Sequence, residues 1–383
     1  MPFDRRVWQE ACALRDAGYR VSVISPKRGE FTRGYEQLEG IEIYRHWLPE
    51  ASGPAAYALE YCSALAAEFT LALRAYFRVR FQVLHACNPP DTIFPIALFF
   101  RIFGVRFVFD HHDLNPELFE AKFGKKGGLF YRLVCLAERM TYRAADVAIA
   151  TNESYREVAV RRGGMAPERV FIVRSSPDLS RLQRGPAQPE LKCGRRYLAV
   201  YLGVMGPQEG VHLLLEAVAD IIRQRRTDDV AFVLIGGGTE LPRLKVVAAE
   251  MGLGSTVTFT GRIPDREVAA YLSTADVCVA PDPKNPMNDK STMNKILEYM
   301  AHGRPIVLFD LTEGRRAAGD AALYAHPNDP SDFARHILAL LDSEALRRRL
   351  GDAGRRRVES TLNWEIQKQK LLKAYETALA CRR

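Results

Sequence analysis

The stretch Ala280-Pro-Asp-Pro-Lys-Asn-Pro-Met-Asn-Asp-Lys-Ser-Thr-Met-Asn-Lys-Ile-Leu-Glu-Tyr-Met-Ala-His-Gly-Arg-Pro-Ile-Val307 decides the fold. It reads as the end of a strand, a polar loop, a helix that Ser291 or Thr292 would cap, and the start of another strand past Gly303. Such a succession sets a helix N-terminus at the C-terminal end of a parallel strand. Free N–H groups and the positive end of the helix dipole make that place an anion site. Lys290 and Lys295 add charge beside it, and Glu298 can accept two hydrogen bonds from a vicinal diol such as ribose. A phosphate together with a diol points to a nucleotide. The plainer reading is a solvated amphipathic helix with ordinary lysines, and the tightness with which Gly303-Arg-Pro-Ile-Val307 follows argues against it.

The same alternation extends on both sides. Toward the N-terminus come strands at 198–202, 231–235, 257–260 and 277–280, separated by helices at 210–223, 240–251 and 265–273. Further upstream, helical periodicity at 7–17, 57–77, 93–103 and 128–142 alternates with strand-like runs at 21–25, 41–44, 83–85, 107–110, 147–150 and 170–173. Strands alternating with helices give a parallel sheet covered on both faces, so the fold class is α/β and doubly wound. The polar, Pro- and Gly-bearing stretch 181–195 reads as a linker between residues 1–180 and 196–362, and 363–383 as a closing helix.

The first half lacks an expected part. A doubly wound domain normally opens with a strand in the middle of its sheet, yet here Met1 stands at the doorstep of the first helix. Either this domain lacks its first strand, or the chain's start lies downstream of the true one. We favour the second, because a missing central strand leaves two sheet edges open.

The 383 residues suit two domains, and 47% hydrophobic with 26% charged residues excludes a disordered, collagen-like or polytopic membrane chain. The net charge of +8 comes with no nucleic-acid signature, so nucleic acid is not an expected partner. Seven scattered cysteines without a Cys-x-x-Cys pair read as free thiols, and no signal-peptide core opens the chain, so a cytoplasmic location is expected. Segments 73–81 and 99–107 mix aromatic and basic residues, as helices at the inner face of an anionic membrane do; core helices are the plainer reading of both.

The stretch quoted first, with Tyr201-Leu-Gly-Val-Met-Gly-Pro-Gln-Glu-Gly-Val211, Val233-Leu-Ile-Gly-Gly-Gly238, Phe259-Thr-Gly-Arg-Ile263 and Thr274-Ala-Asp276, resembles the donor domain of family 4 glycosyltransferases. The runs Phe3–Leu14, His85-Ala-Cys-Asn-Pro-Pro-Asp91 and Asp110-His-His-Asp-Leu-Asn-Pro-Glu117 resemble the acceptor domain of a bacterial surface-polysaccharide branch of that family. The resemblance implies the GT-B fold, two Rossmann-like doubly wound domains facing across a cleft. It also implies that residues 1–180 hold the acceptor and 196–362 a nucleotide-diphospho-sugar, with the last helix packing back toward the first domain.

Carried over position by position, the resemblance makes Glu298 the ligand of the donor ribose. Lys290 stands where the family has a sugar-binding glutamate, with Asp289 adjacent as a substitute. The two cations that grip the diphosphate are replaced by Val204 and Glu209. Lys290, Lys295 and Arg262 are then the candidates to offset its charge, helped by Ser291, Thr292, Gly236 and backbone N–H groups along Gly203, Gly206 and Gly210. His112 matches the family's histidine near the transferred sugar, with Asp113 beside it, and His111 is the neighbour open to confusion with it. His85, Asn88 and Asp91 either line the acceptor side or shape the turn at Pro89-Pro90. A metal site at His111-His-Asp113 lacks a well-spaced further ligand, so neither metal nor cofactor is expected.

The implied reaction moves a sugar from a nucleotide-diphospho-sugar to a hydroxyl of a saccharide or lipid-linked acceptor, in surface polysaccharide or glycolipid assembly. The resemblance implies retention of anomeric configuration, by a front-face route assisted by the departing phosphate; that no carboxylate pair for double displacement is placed in the sequence fits this. Two alternatives remain: a sugar-nucleotide binder that is non-catalytic or truncated, and a nucleotide-sugar epimerase of the same fold.

Overall fold

The structure, a computed structural model, describes residues 4–29, 31–48, 54–123, 127–180, 182, 184–225 and 229–381. Met1 to Phe3 and Arg181, on which some of these expectations rest, lie outside the described residues. Two compact units emerge: Met1–Ser175 with Gln367–Arg383, and Ser176–Ile366.

The first unit runs α1 (Arg5–Asp16), β1 (Ser22–Pro26), β2 (Tyr35–Leu38), β3 (Ile41–His46), α2 (Pro54–Val79), β4 (Val83–Cys87), α3 (Phe94–Arg101), β5 (Arg106–His111), α4 (Asn115–Phe123), α5 (Leu129–Ala144), β6 (Val147–Ala150), α6 (Glu153–Arg161) and β7 (Val170–Ile172). Asp4 starts α1 by accepting a hydrogen bond from the Val7 N–H at 3.1 Å. Val7, Trp8 and Ala11 then pack that helix on Ile41 and Ile43 of β3. β1 pairs in parallel with β3, and β2 closes this sheet antiparallel. β4, β5, β6 and β7 form a separate parallel sheet. Among the described residues, β1 and β4 are each bonded on one side only.

The second unit runs β8 (Tyr197–Leu202), α7 (Val211–Arg225), β9 (Val230–Ile235), α8 (Leu241–Glu250), β10 (Val257–Gly261), α9 (Asp265–Thr274), β11 (Val277–Ala280), α10 (Asn294–Ala301), β12 (Ile306–Phe309), α11 (Thr312–Ala318), β13 (Ala322–Ala325), α12 (Pro330–Asp342) and α13 (Glu344–Thr361). Its sheet is parallel throughout, ordered β10-β9-β8-β11-β12-β13. Both faces are covered. Tyr197, Ala199 and Tyr201 of β8 enter one core cluster, while Leu198 and Val200 enter the other. That double burial is why β8 reads as an unbroken apolar run.

Two expectations change here. The stretch 181–195 is not a free linker, because the chain passes to the second unit at Ser175–Ser176 and residues 185–192 are strapped along that unit. Gly185 N–H donates to Ser273 Oγ at 3.2 Å, Gln188 N–H to Thr274 Oγ1 at 2.9 Å, and Lys192 pairs with Asp276 at 2.7 Å. Neither Ser291 nor Thr292 caps the donor helix. The cap residue of α10 is Met293, without a side-chain bond, and Ser291 Oγ turns back to the Met287 carbonyl at 2.8 Å. The closing helix α14 (Trp364–Ala380) counts with the first unit from Gln367 on. There the Gln367 side chain accepts from the Arg174 N–H at 3.1 Å, and the Tyr375 hydroxyl meets His85 Nδ1 at 2.8 Å.

Candidate functional site

In doubly wound sheets ligands bind beyond the carboxyl ends of the strands, where the strand order reverses. In the second unit that place lies past Leu202 of β8 and Ala280 of β11. The loop after β8 passes through Gly203, Gly206 and a 3-10 turn at Pro207–Glu209 to Gly210. A Cβ on Gly236, whose φ is 132°, would fall 1.8 Å from the Gly203 carbonyl oxygen, and one on Gly210 would fall 2.1 Å from that of Pro281. Absent side chains thus let three loops meet backbone to backbone. The contact has a cost for the expected phosphate cradle. Gly203 N–H donates to the Ile235 carbonyl at 3.0 Å and Met205 N–H to that of Gly237 at 3.0 Å, so these donors are spent on holding the loops together.

Lys295 occupies the middle of this junction. It is buried, and its Nζ donates to Asp282 Oδ1 at 2.8 Å and Glu209 Oε2 at 2.9 Å while lying 4.8 Å from the Tyr201 ring centroid. Burial opposes its charge, but Asp282, Tyr201 and Glu209 outweigh burial and raise its pKa. Burial likewise pushes the Asp282 carboxyl up against the pull of Lys295. A Cβ on Gly203 would come 3.3 Å from the Lys295 Cε, so that glycine also leaves room for the lysine. Lys295 is therefore not the open cation expected at the helix start. It is the hub of a charge triad whose other two members, Glu209 and Asp282, are acids. The hydroxyl of Tyr299 accepts from Leu202 N–H and donates to the Val279 carbonyl, tying the ends of β8 and β11 together.

The remaining donor-side residues divide. Asp289 is not free to substitute for a sugar-binding glutamate: its carboxylate takes the Thr312 N–H at 2.8 Å and the Thr312 hydroxyl at 2.9 Å at the start of α11. Burial opposes its ionisation, but these bonds and Lys284 hold its pKa low. Lys290, Thr292 and Glu298 are half-buried on the α10 side of the junction. Arg262 is exposed and its stem would lie 3.7 Å from a Cβ on Gly237. Sequence reasoning missed Asp282 and Tyr201. An acid between two prolines directly after a buried strand was the available signal for Asp282.

In the first unit, a second polar cluster gathers at the carboxyl ends of β4 and β5. Asp110 is buried, and Arg6 of α1 grips it at 2.9 Å through Oδ1 and 3.2 Å through Oδ2. His112 Nε2 lies 2.6 Å from Asp110 Oδ2 and 2.9 Å from Arg6 Nε. One nitrogen cannot donate to the carboxylate and accept from the guanidinium at once, and the shorter contact to an anion keeps the proton on Nε2. Burial lowers the His112 pKa, but Asp110 and Cys87 more than reverse it, and the value stands well above the usual. His85, bonded to Tyr375, has Nε2 at 3.6 Å from Asp110 and 3.8 Å from Glu10. Its pKa also stands well above the usual, because Tyr375, Asp110 and Cys87 outweigh burial.

His111 is unlike its neighbour. It is fully buried against Tyr142, whose hydroxyl is 2.7 Å from Nδ1, and burial followed by the charges of Arg162 and His112 lowers its pKa to about 3. Asp113 is exposed. Asn88 brackets the turn between them and the sheet, since its Oδ1 accepts from the N–H groups of His112 and Asp113 and its Nδ2 donates to the Asp113 carbonyl at 2.7 Å. Asp91, buried with a pKa raised by burial to about 7, accepts from Asn88 and Asn115. Asn88 and Asp91 thus shape the turn that presents His112. His85, Cys87 and Asp110 bring ligating atoms within 4.8 Å of one another, a grouping the sequence reading did not foresee. Arg6 already supplies Asp110 with its positive partner there.

Each half of the chain matches a family model: residues 4–175 match the glycosyl transferase 4-like domain and 196–343 the glycosyl transferases group 1. The D-inositol 3-phosphate glycosyltransferase of Thermomonospora curvata is 27% identical over 63% of this chain and 59% of its own length. The MMP alpha-(1->4)-mannosyltransferase of Mycolicibacterium hassiacum is 28% identical over 70% of this chain and 64% of its own length. The phosphatidyl-myo-inositol mannosyltransferase of Mycobacterium leprae is 30% identical over 45% of this chain and 44% of its own length. The chain therefore spans between 44% and 64% of these curated relatives. Among solved structures, sucrose-phosphate synthase from Thermosynechococcus elongatus superposes with a TM-score of 0.78 at 21% identity, over 98% of this chain and 92% of that one. The Anabaena protein HepE, solved with UDP and glucose, gives 0.67 at 16% identity over 88% of this chain and 86% of that one. Two matched halves in this order, on parallel sheets with these neighbours, place the chain among the group 1, 4-like glycosyltransferases with the GT-B fold.

Proposed function

We propose that the protein transfers a glycosyl group from a nucleotide-diphospho-sugar to a hydroxyl of a saccharide or lipid-linked acceptor, with retention, in surface polysaccharide or glycolipid assembly. The observation that carries the reading is the switch-point junction of the second unit, where α10 starts beside Lys295, Glu209 and the Gly203–Gly236 contact. Charge grows negative on the departing diphosphate, and fixed dipoles and cations aimed at it usually supply the largest share of catalysis. Here α10, Lys290 and Arg262 would face the diphosphate. Lys295 would join them by exchanging its bond to Glu209, the less buried of its two partners, for a phosphate oxygen. In the first unit, His112, held charged by Asp110, would donate to the sugar or acceptor.

Thermal stability of the full chain against UDP, GDP, ADP and their sugar conjugates tests the donor site. A ligand at 100 times its Kd adds about 2.7 kcal/mol. The expected result is a shift with one nucleotide, absent in Glu298→Ala, and sugar transfer with that donor. A shift without transfer or turnover favours the second reading, a non-catalytic sugar-nucleotide binder, which the pairing of Lys295 with two acids supports. Conversion of the donor without acceptor would mark an epimerase.

A further inference from the structure

The first unit carries an arginine-lined groove at the end of its sheet opposite to His112. β5 begins at Arg106 and ends at His111, so the two ends lie roughly 17 Å apart at the rise of a strand. The groove, of about 530 Å³, is lined by Arg101, Arg106, Arg143 and Arg169 against a single acid, Asp146. Two of the arginines are anchored: Arg101 bonds the Ala144 carbonyl and Arg106 that of Cys381, and both stand within 4 Å of Asp146. Arg143 and Arg169 are exposed at the mouth. Four cations facing one carboxylate leave a net charge of +3 in one concavity.

The groove is bordered by apolar side chains that the fold leaves in solvent. Leu98 and Ile102 line it, and Ile102 is 76% exposed. Phe103 and Phe77 are exposed nearby, Phe103 stacking on Tyr76 of α2 at 5.4 Å. α5 extends the same surface. Leu129, Leu136 and Arg143 are spaced seven apart and so fall on one line of the helix, with Leu133 beside them, and all four are exposed. Arg132 and Arg139 are exposed along the same side. The helix's only acid, Glu138, is buried and pairs with Arg162.

We infer that this face, the arginine groove with the exposed stripe of α5 and Ile102, docks on an anionic lipid surface. A free phosphate would need the arginines but not the leucines. A protein partner would be expected to meet acids as well as bases, and α5 shows none on its exposed side. Arginine heads over an apolar stripe are what an interfacial helix presents to a charged leaflet, the side chains entering the headgroup layer and the guanidinium groups binding phosphates. The surface lies away from His112, so it would hold the protein at the bilayer without occupying the candidate site. It locates the membrane contact on α3 and α5, including part of the 99–107 segment singled out in the sequence, and it stands or falls independently of the transfer reaction.

The test is flotation of the full chain with vesicles of phosphatidylcholine alone or mixed with phosphatidylglycerol, at low and physiological salt. The inference expects binding to the mixed vesicles only, weakened by salt. The exposed pair Arg143→Gln with Arg169→Gln is expected to lower the partition about 25-fold, each basic residue near the surface being worth about fivefold. Ile102→Ser with Leu136→Ser is expected to lower it at every salt concentration, with melting temperature as the check that both variants are folded. No binding by the parent chain, or unchanged binding by Arg143→Gln with Arg169→Gln, overturns the proposal. So does a melting shift with inorganic pyrophosphate, lost in that variant, in a chain that ignores vesicles, because the groove is then a site for a soluble anion. Vesicle binding by a chain that shows no nucleotide shift leaves the docking face standing and removes the transferase reading alone.

Discussion

Lys295 and Asp282 form a buried ion pair, 2.8 Å from Nζ to Oδ1, at the point where the strand order of the second unit reverses. Glu209 completes it at 2.9 Å from the loop after β8. The pair joins the loops after β8 and β11 to the first turn of α10, so the shape of the candidate donor site depends on a charge balance inside the protein. Any phosphate that enters must alter that balance.

Removing one member of a buried pair leaves the other uncompensated. Lys295→Met is expected to cost about 3–5 kcal/mol of unfolding free energy, read by urea denaturation, whereas combining it with Asp282→Leu recovers most of the loss. A single variant as stable as the parent would show that water reaches Asp282.

Gly236 and Gly252 both have positive φ, but they stand in opposite surroundings. Gly252 has nothing within 4 Å of a built Cβ, so Gly252→Ala is expected to cost only the left-handed penalty of about 1–2 kcal/mol. Gly236→Ala drives a methyl into the Gly203 carbonyl and is expected to cost about 3 kcal/mol or more and to abolish nucleotide binding. Melting curves of the two variants side by side check this.

His111 is buried with its pKa lowered to about 3, whereas an unfolded histidine titrates near 6.5. Between those values the unfolded chain binds the extra proton, so the stability His111 contributes is complete above pH 6.5 and falls on acidification. The slope is at most about 1.4 kcal/mol per pH unit. His111→Phe is expected to flatten stability against pH in that window. An unchanged slope would assign it to other groups.

His112 is held charged by the carboxylate it touches. Asp110→Asn is expected to move its imidazole titration downward, followed by NMR on the ring protons, and to lower transfer activity at the alkaline end of the pH profile. The same variant leaves Arg6 beside a neutral amide, so a melting measurement separates folding from titration.

Much of the architecture was legible because buried strands announce themselves. Runs such as 277–280 and 306–309 are apolar on both faces and coincide with β11 and β12. β2, α4 and α6 did not stand out. Tyr35–Leu38 alternates exposed and half-buried residues as an antiparallel edge, and α4 follows directly on the His-His-Asp turn with Pro116 in its first turn. At the candidate site, sequence pointed to the loops that the strand order sets at the switch point but read charge as availability. Lys295 and Asp289 carry the right charges for a ligand, yet their partners are set by chain segments distant in sequence, Glu209 and Asp282 for one and Thr312 for the other. Arg6 and Asp110 are 104 residues apart, and no local pattern links them.

The order β4-β5-β6-β7 sets where the four-stranded sheet of the first unit is firm. The slowest-exchanging amides belong to strands bonded on both sides. Among the described residues of that sheet, β5 and β6 are bonded on both sides, while β4 and β7 are its rims. Protection against hydrogen exchange is therefore expected to be highest along β5, which ends at Asp110 and His111, and lower along β4, which carries His85.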